Sequence, residues 1–243
     1  MKRKPKIYVI KLNRKLILAL LGLIIFLIIL ITFFSNSKSL SIFKYNSNGV
    51  IVVDPGHGGI DGGTSDRDGL LEKDINLDTG LYLKQELIKE GFNVVMTREA
   101  DESLEDFSSI NASRYRRDLN ARKTIINKSK PVAFVSIHVN SSKSPSARGI
   151  QVYYYPDSSE SEKLAKSICD SINTNVYKNY LKEDLNAKYL PYDYFILRET
   201  EYTGVLVEIG FITNSKDNAL LKDDKYKEKV AYSIRKGISK WLE

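Results

Sequence analysis

The chain of 243 residues contains one cysteine, two histidines and, before position 54, no acidic residue at all. The single Cys169 excludes an intrachain disulfide. With Ala165, Ile168, Ile172 and Val176 it falls on one apolar helical face, the pattern of a buried structural thiol rather than a reactive one. The missing acids explain the formal net charge of +7: nine of the 37 Lys and Arg residues lie before position 50, and the remaining 28 face 30 Asp and Glu, a net of −2. The region that can fold carries no positive excess, which argues against nucleic acid as a partner. There is no internal repeat, no low-complexity block, and no Gly-x-Ser-x-Gly elbow that would present a nucleophilic serine.

The charge imbalance has a position. Residues 1–15 hold seven basic side chains, and residues 16–34 then run for nineteen residues without a charge, close to the ~20 needed to cross a bilayer. This predicts a transmembrane anchor, or an uncleaved signal, at 16–34. The basic flank 1–15 stays cytoplasmic and the C-terminal part faces outward. A cleaved signal peptide is the alternative, but its apolar core is usually about 7–15 residues and ends at a small-residue cleavage site. No Ala-x-Ala follows here. Residues 35–49, rich in Ser, Asn and Lys, read as a tether.

From position 50 the pattern alternates. Strand-like runs occupy 50–53, 92–97, 132–138, 149–155 and 204–209, separated by helical segments at about 72–90, 114–127, 159–179 and 217–242. Such alternation predicts an α/β domain over 50–243, with a sheet covered on its faces by helices. In the last helix Tyr226, Val230, Ile234, Ile238 and Trp241 form a core-facing stripe. The apolar residues of 72–90 point two ways, suggesting burial on more than one face.

Both histidines close an apolar run. His57 ends Val52-Val53-Asp54-Pro55-Gly56-His57 and enters a glycine-rich turn, and His138 ends Val132 to Ile137 before the polar Asn140-Ser141-Ser142. Strand ends are where open α/β sheets hold their sites, so the pair reads as one site. An open catalytic zinc site needs three protein ligands. Glu72, after the loop Gly58-Gly59-Ile60-Asp61-Gly62-Gly63-Thr64, is the candidate third, though a first-turn acid favoured by the helix dipole reads equally well. Glu208 lies in the apolar run Val205-Leu206-Val207-Glu208-Ile209. There a carboxylate is costly unless it is paired, for instance with Arg198, or stands beside a metal as a proton acceptor. Asp54 could orient a ligand from behind or simply form the turn. Asn140 and Arg198 are candidate substrate contacts.

Taken in order, Asp54-Pro55-Gly56-His57-Gly58-Gly59-Ile60-Asp61-Gly62-Gly63, Glu72, Thr97-Arg98-x-x-Asp101, Leu119-x-x-Arg122, Ser136-Ile137-His138-Val139-Asn140 and Val207-Glu208-Ile209-Gly210-Phe211-Ile212-Thr213-Asn214 resemble the zinc-dependent N-acetylmuramoyl-L-alanine amidases of the type 3 family. The resemblance spans about 50–243. It implies a mixed, mostly parallel sheet of about six strands flanked by helices, one Zn²⁺ per chain held by His57, Glu72 and His138, and Glu208 as the catalytic acid/base. It also implies peptidoglycan as substrate, with hydrolysis between N-acetylmuramic acid and the L-alanine of the stem peptide. Arg114 to Arg122 and the bare catalytic domain resemble the sporulation or germination-specific branch, which would place the enzyme in the forespore or cortex, where stem-peptide removal allows muramic lactam formation. A vegetative cell-separation amidase remains open, and so does an activating partner protein. So do a zinc peptidase acting within the stem peptide, although neither histidine sits in His-x-x-Glu, and an inactive wall-binding domain.

Overall fold

The computed structural model describes residues 14–15, 23–25 and 48–243. The expected anchor and tether therefore lie almost wholly outside the described residues, among which no helix is long and apolar enough to cross a membrane. Ser47–Glu243 forms one compact unit.

Its centre is a six-stranded sheet. The strands are β1 (Val50–Pro55), β2 (Asn93–Met96), β3 (Ala133–Asn140), β4 (Gln151–Tyr154), β5 (Lys188–Pro191) and β6 (Gly204–Phe211), in the order β2-β1-β3-β6-β4-β5. Among the pairings of these six strands, β4–β6 alone is antiparallel. The helices are α1 (Glu72–Lys89), α2 (Arg114–Ser129), α3 (Ser159–Ile172), α4 (Phe195–Arg198), α5 (Ser215–Leu221) and α6 (Asp224–Leu242).

Side chains alternate across a strand, and the three central strands use this to divide two kinds of work. Ile51, Val53, Val135, Ile137, Val139, Val205, Val207 and Ile209 enter the larger core with α1, α3 and α6. Val52, Phe134 and Leu206 enter a smaller cluster with Ile126 of α2 and Ile196 and Leu197 of α4. On that second side the same alternation continues into Asp54, Ser136, His138 and Glu208. On this face each strand thus turns polar toward its C-terminal end, where Tyr115, Asp118, Leu119 and Arg122 of α2 line a cavity with them.

Several elements differ from the expectation. Strand β5 was not foreseen because it is an exposed edge of four residues with a closing proline, which suits an edge but carries no alternating signal. The segment 217–242 is two helices: Asp223 caps the second by accepting from the Lys225 N–H, and the chain turns at Lys222. Residues beyond Ile172 continue as a π-helix, Asn173–Leu181. Helix α1 buries one face rather than two, through Glu72, Ile75, Asn76, Thr79, Gly80, Leu83 and Leu87. Polar and small residues in that stripe hide it from a hydrophobic reading; a Cβ on Gly80 would meet the Pro55 ring at 2.7 Å. Cys169 is buried as expected, and burial pushes its thiol up to about 12.

Candidate metal centre and cleft

His57 follows β1 with φ +60°, a left-handed conformation that few non-glycine residues adopt and that concentrates at functional sites. Two buried arginines hold the backbone there. Arg98 donates to the carbonyls of Pro55, Gly56, Lys73 and Ala100. Arg122 donates to the carbonyls of Pro55 and His57 and to the carboxylates of Asp54 and Asp118. A second line of support comes from the chain after β2: Asp101 accepts from the Gly59 N–H, and Ser103 donates to the Gly58 carbonyl.

The turn brings three groups together. His57, Glu72 and His138 each offer a ligand atom, and these atoms lie within 4.8 Å of one another. His57 Nε2 is 3.2 Å and His138 Nδ1 3.1 Å from Glu72 Oε1, and the two rings meet edge to face at 5.0 Å between centroids. Glu72 is fixed by three donors: the backbone N–H groups of Thr64 and Val139, and the Asn76 amide. Two glycines make room. A Cβ on Gly56 would overlap the His138 ring, and one on Gly63 would come within 2.5 Å of Glu72 Oε2.

The electrostatics match this geometry. Burial alone would lower the His57 imidazole, but Glu72 and Asp61 outweigh it and raise it to about 9. Burial raises Glu72, yet hydrogen bonds from both imidazoles hold its carboxyl far below the ordinary value. Two imidazoles and a buried carboxylate, with no competing thiolate, form a donor set suited to Zn²⁺, and Asp61 Oδ2 lies 2.8 Å from His57 Nδ1. That contact fixes the tautomer that leaves Nε2 free, as outer carboxylates do for histidine ligands. The residues therefore fit a metal ion.

Glu208 pairs in register with His138 on β3 and with Gln151 on β4. It is 8% exposed, and its Oε2 has no hydrogen-bond partner among the described residues. Burial first, then the charge of Glu72, pushes its carboxyl up to about 8. It faces a cavity of about 240 Å³ that His57, His138, Tyr115, Arg122, Tyr194 and Phe195 also line.

The other sequence candidates are placed differently from the triad. Asp54 lines the same cavity without a hydrogen bond to either imidazole. It accepts from Thr97, Ser136 and Arg122, which outweigh its burial and hold it below the usual carboxylate range, and the same Arg122 donates to the His57 carbonyl. Arg198 is not paired with Glu208 and does not line the cavity; its guanidinium is held by Asp193 and Glu199. Asn140 donates to Gln151 Oε1 at 3.0 Å, beside the cleft rather than in it. Sequence reasoning gave no role to Asp61, Arg98, Arg122 or Tyr194. The i,i+4 spacing of Asp118 and Arg122, and of His57 and Asp61, was the available signal.

Residues 51–240 match the model of a family described as N-acetylmuramoyl-L-alanine amidase. The germination-specific N-acetylmuramoyl-L-alanine amidase of Bacillus subtilis is 36% identical over 225 residues, 92% of either chain. The probable cell wall amidase LytH of Staphylococcus epidermidis is 31% identical over 194 residues, 79% of this chain and 58% of that one. Among solved structures, the CwlD amidase of Clostridioides difficile in complex with the GerS lipoprotein superposes with a TM-score of 0.72 at 37% identity, over 80% of this chain and 98% of that one.

Proposed function

The chain belongs to the N-acetylmuramoyl-L-alanine amidase family and is a cell-wall amidase; we propose that it works with one zinc ion held by His57, Glu72 and His138, with Glu208 as acid and base. The observation that carries this reading is the placement of Glu208 Oε2, an unpartnered buried oxygen facing the cavity at the register position beside His138. Zinc in that triad supplies Lewis acidity to the scissile carbonyl and to the attacking water.

The chain's own residues do the rest. Asp61 holds the proton on His57 Nδ1, keeping Nε2 as a ligand, and the Thr64 and Val139 N–H groups fix the Glu72 carboxylate. A nearby cation lowers a carboxyl that burial has raised, so Glu208 becomes available as a base. It takes a proton from water at Oε2 while the water oxygen bonds to the lactyl carbonyl carbon. The same proton then passes to the stem-peptide nitrogen as the carbon–nitrogen bond breaks. Products are a free lactyl carboxylate on the muramic acid and a free L-alanine amine.

The relationship to the Bacillus subtilis protein supports a role in the spore cortex, where removal of stem peptides precedes muramic lactam formation. The likeness to LytH favours vegetative wall hydrolysis as the second reading. We further propose that residues 16–34 anchor the chain with its catalytic domain on the outer side of the membrane, and that a partner protein activates it, by analogy with the CwlD relative solved with a lipoprotein. Mass analysis of muropeptide digests tests the reaction. New L-alanine amino termini with unchanged glycan length support it, and cleavage inside the stem peptide overturns it.

A further inference from the structure

Two surfaces outside the metal triad differ in character. On the β4–β5 side stand three tyrosines. Tyr194, which lines the cavity with Glu208, lies 4.4 Å from Tyr192 and 5.4 Å from Tyr153 between ring centroids, and Tyr153 and Tyr192 are 5.7 Å apart. Tyr153 and Tyr194 pack on the smaller core cluster. Tyr192 does not share that duty. It is 53% exposed, yet its backbone is pinned, since its N–H donates to the Tyr154 carbonyl in continuation of the β4–β5 ladder. An exposed ring on a fixed backbone, continuous with a catalytic cleft, is a preorganised stacking surface. No charged side chain belongs to the trio.

The other surface is a groove of about 690 Å³ beyond the ends of β3 and β6. Asp66 and Asp68 on its wall are both engaged by Lys222. Arg67 and Lys143, also on the wall, have no ion pair among the described residues. That groove presents free positive charge.

A muramoyl-peptide amide joins two unlike bodies. On the carbonyl side is an uncharged chain of pyranose rings, and on the nitrogen side a peptide bearing carboxylates. We propose that Tyr153, Tyr192 and Tyr194 form a glycan-binding subsite on which a pyranose ring next to the reacting muramoyl residue stacks, so that the stem peptide leaves the metal centre toward Arg67 and Lys143. Sugar rings present C–H faces that pack on aromatic rings while their hydroxyls stay wet, and tyrosine offers an apolar body with a polar tip. This assignment rests on the amidase reading and adds the direction in which the substrate lies.

The test is calorimetric binding to the zinc-loaded full chain carrying Glu208→Gln, with two probes: uncharged β-1,4-linked oligomers of N-acetylglucosamine as the glycan, and glycan-free stem peptide. Adding Tyr192→Ala weakens glycan binding about tenfold and leaves stem-peptide binding unmoved, and Tyr192→Trp restores glycan binding to within about twofold. Undiminished glycan binding in Tyr192→Ala, a loss confined to the peptide probe, or no glycan binding by the starting protein each overturn the proposal. Hydrolysis of muropeptides by the parent chain, measured separately, decides the amidase reading, so the two can fail independently.

Discussion

His57 is where backbone strain, hydrogen bonding and charge meet, and its proton gives the first prediction. Without metal the imidazole is raised to about 9 by Glu72 and Asp61, so at neutral pH a metal must displace a proton to bind. Affinity for Zn²⁺ should therefore rise about tenfold per pH unit up to about pH 9, with proton release visible as a dependence of binding heat on the buffer's ionisation enthalpy. Glu208 gives a second prediction, for the metal-free protein. Its folded-state value of about 8 lies above the ordinary 4.5, so the folded state holds the extra proton across that window, and stability present below pH 4.5 is lost as pH rises toward 8. Glu208→Gln removes the titration. Urea unfolding should show it equal to the parent near pH 4 and more stable by on the order of a few kcal/mol at pH 8, while its amidase activity is abolished.

Gly56 and Arg122 belong to the scale of the element, because each acts on the turn as a unit. A Cβ at Gly56 overlaps the His138 ring, so Gly56→Ala should cut zinc content well below one per chain by metal analysis while circular dichroism stays close to the parent's. Arg122→Ala leaves Asp54 buried without its ion-pair partner, with only the Thr97 and Ser136 hydroxyls still donating to it, and frees the His57 carbonyl. Removing one member of a buried ion pair costs roughly 3–5 kcal/mol, which a chemical denaturation midpoint would report.

The same turn shows what a sequence can and cannot tell. Strand ends were legible because β1 and β3 are apolar runs that give way to polar residues, and the histidines stand where those runs stop; β6 announced its site through a single carboxylate, Glu208, in an apolar strand. The hold of Arg122 on the turn was not legible, because hydrogen bonds to backbone leave no periodicity, and 65 residues separate Arg122 from the His57 carbonyl it holds. Strand β5 was invisible for a related reason. An edge strand buries little, so its residues need not alternate.

For the whole molecule, the sheet sorts chemistry by face and end. One side is a large apolar core, and the other begins as a small core and becomes polar at the C-terminal strand ends, where the candidate metal ligands His57, Glu72 and His138 meet. The basic segment and apolar run ahead of this unit lead to a further expectation. The full chain should stay with membranes through high salt and alkaline carbonate, and deletion of residues 16–34 should release it as an enzyme with the same product specificity. Extraction of the parent by salt alone would contradict the anchor.

The central claim is that a metal triad and Glu208 together hydrolyse the muramoyl amide. Zinc content and muropeptide hydrolysis, measured on the parent and on Glu208→Gln side by side, test it most directly. The account predicts about one zinc per chain in both, with new L-alanine amino termini released by the parent alone. A parent that cleaves the amide without binding zinc, or a Glu208→Gln variant that cleaves as fast as the parent, would contradict it.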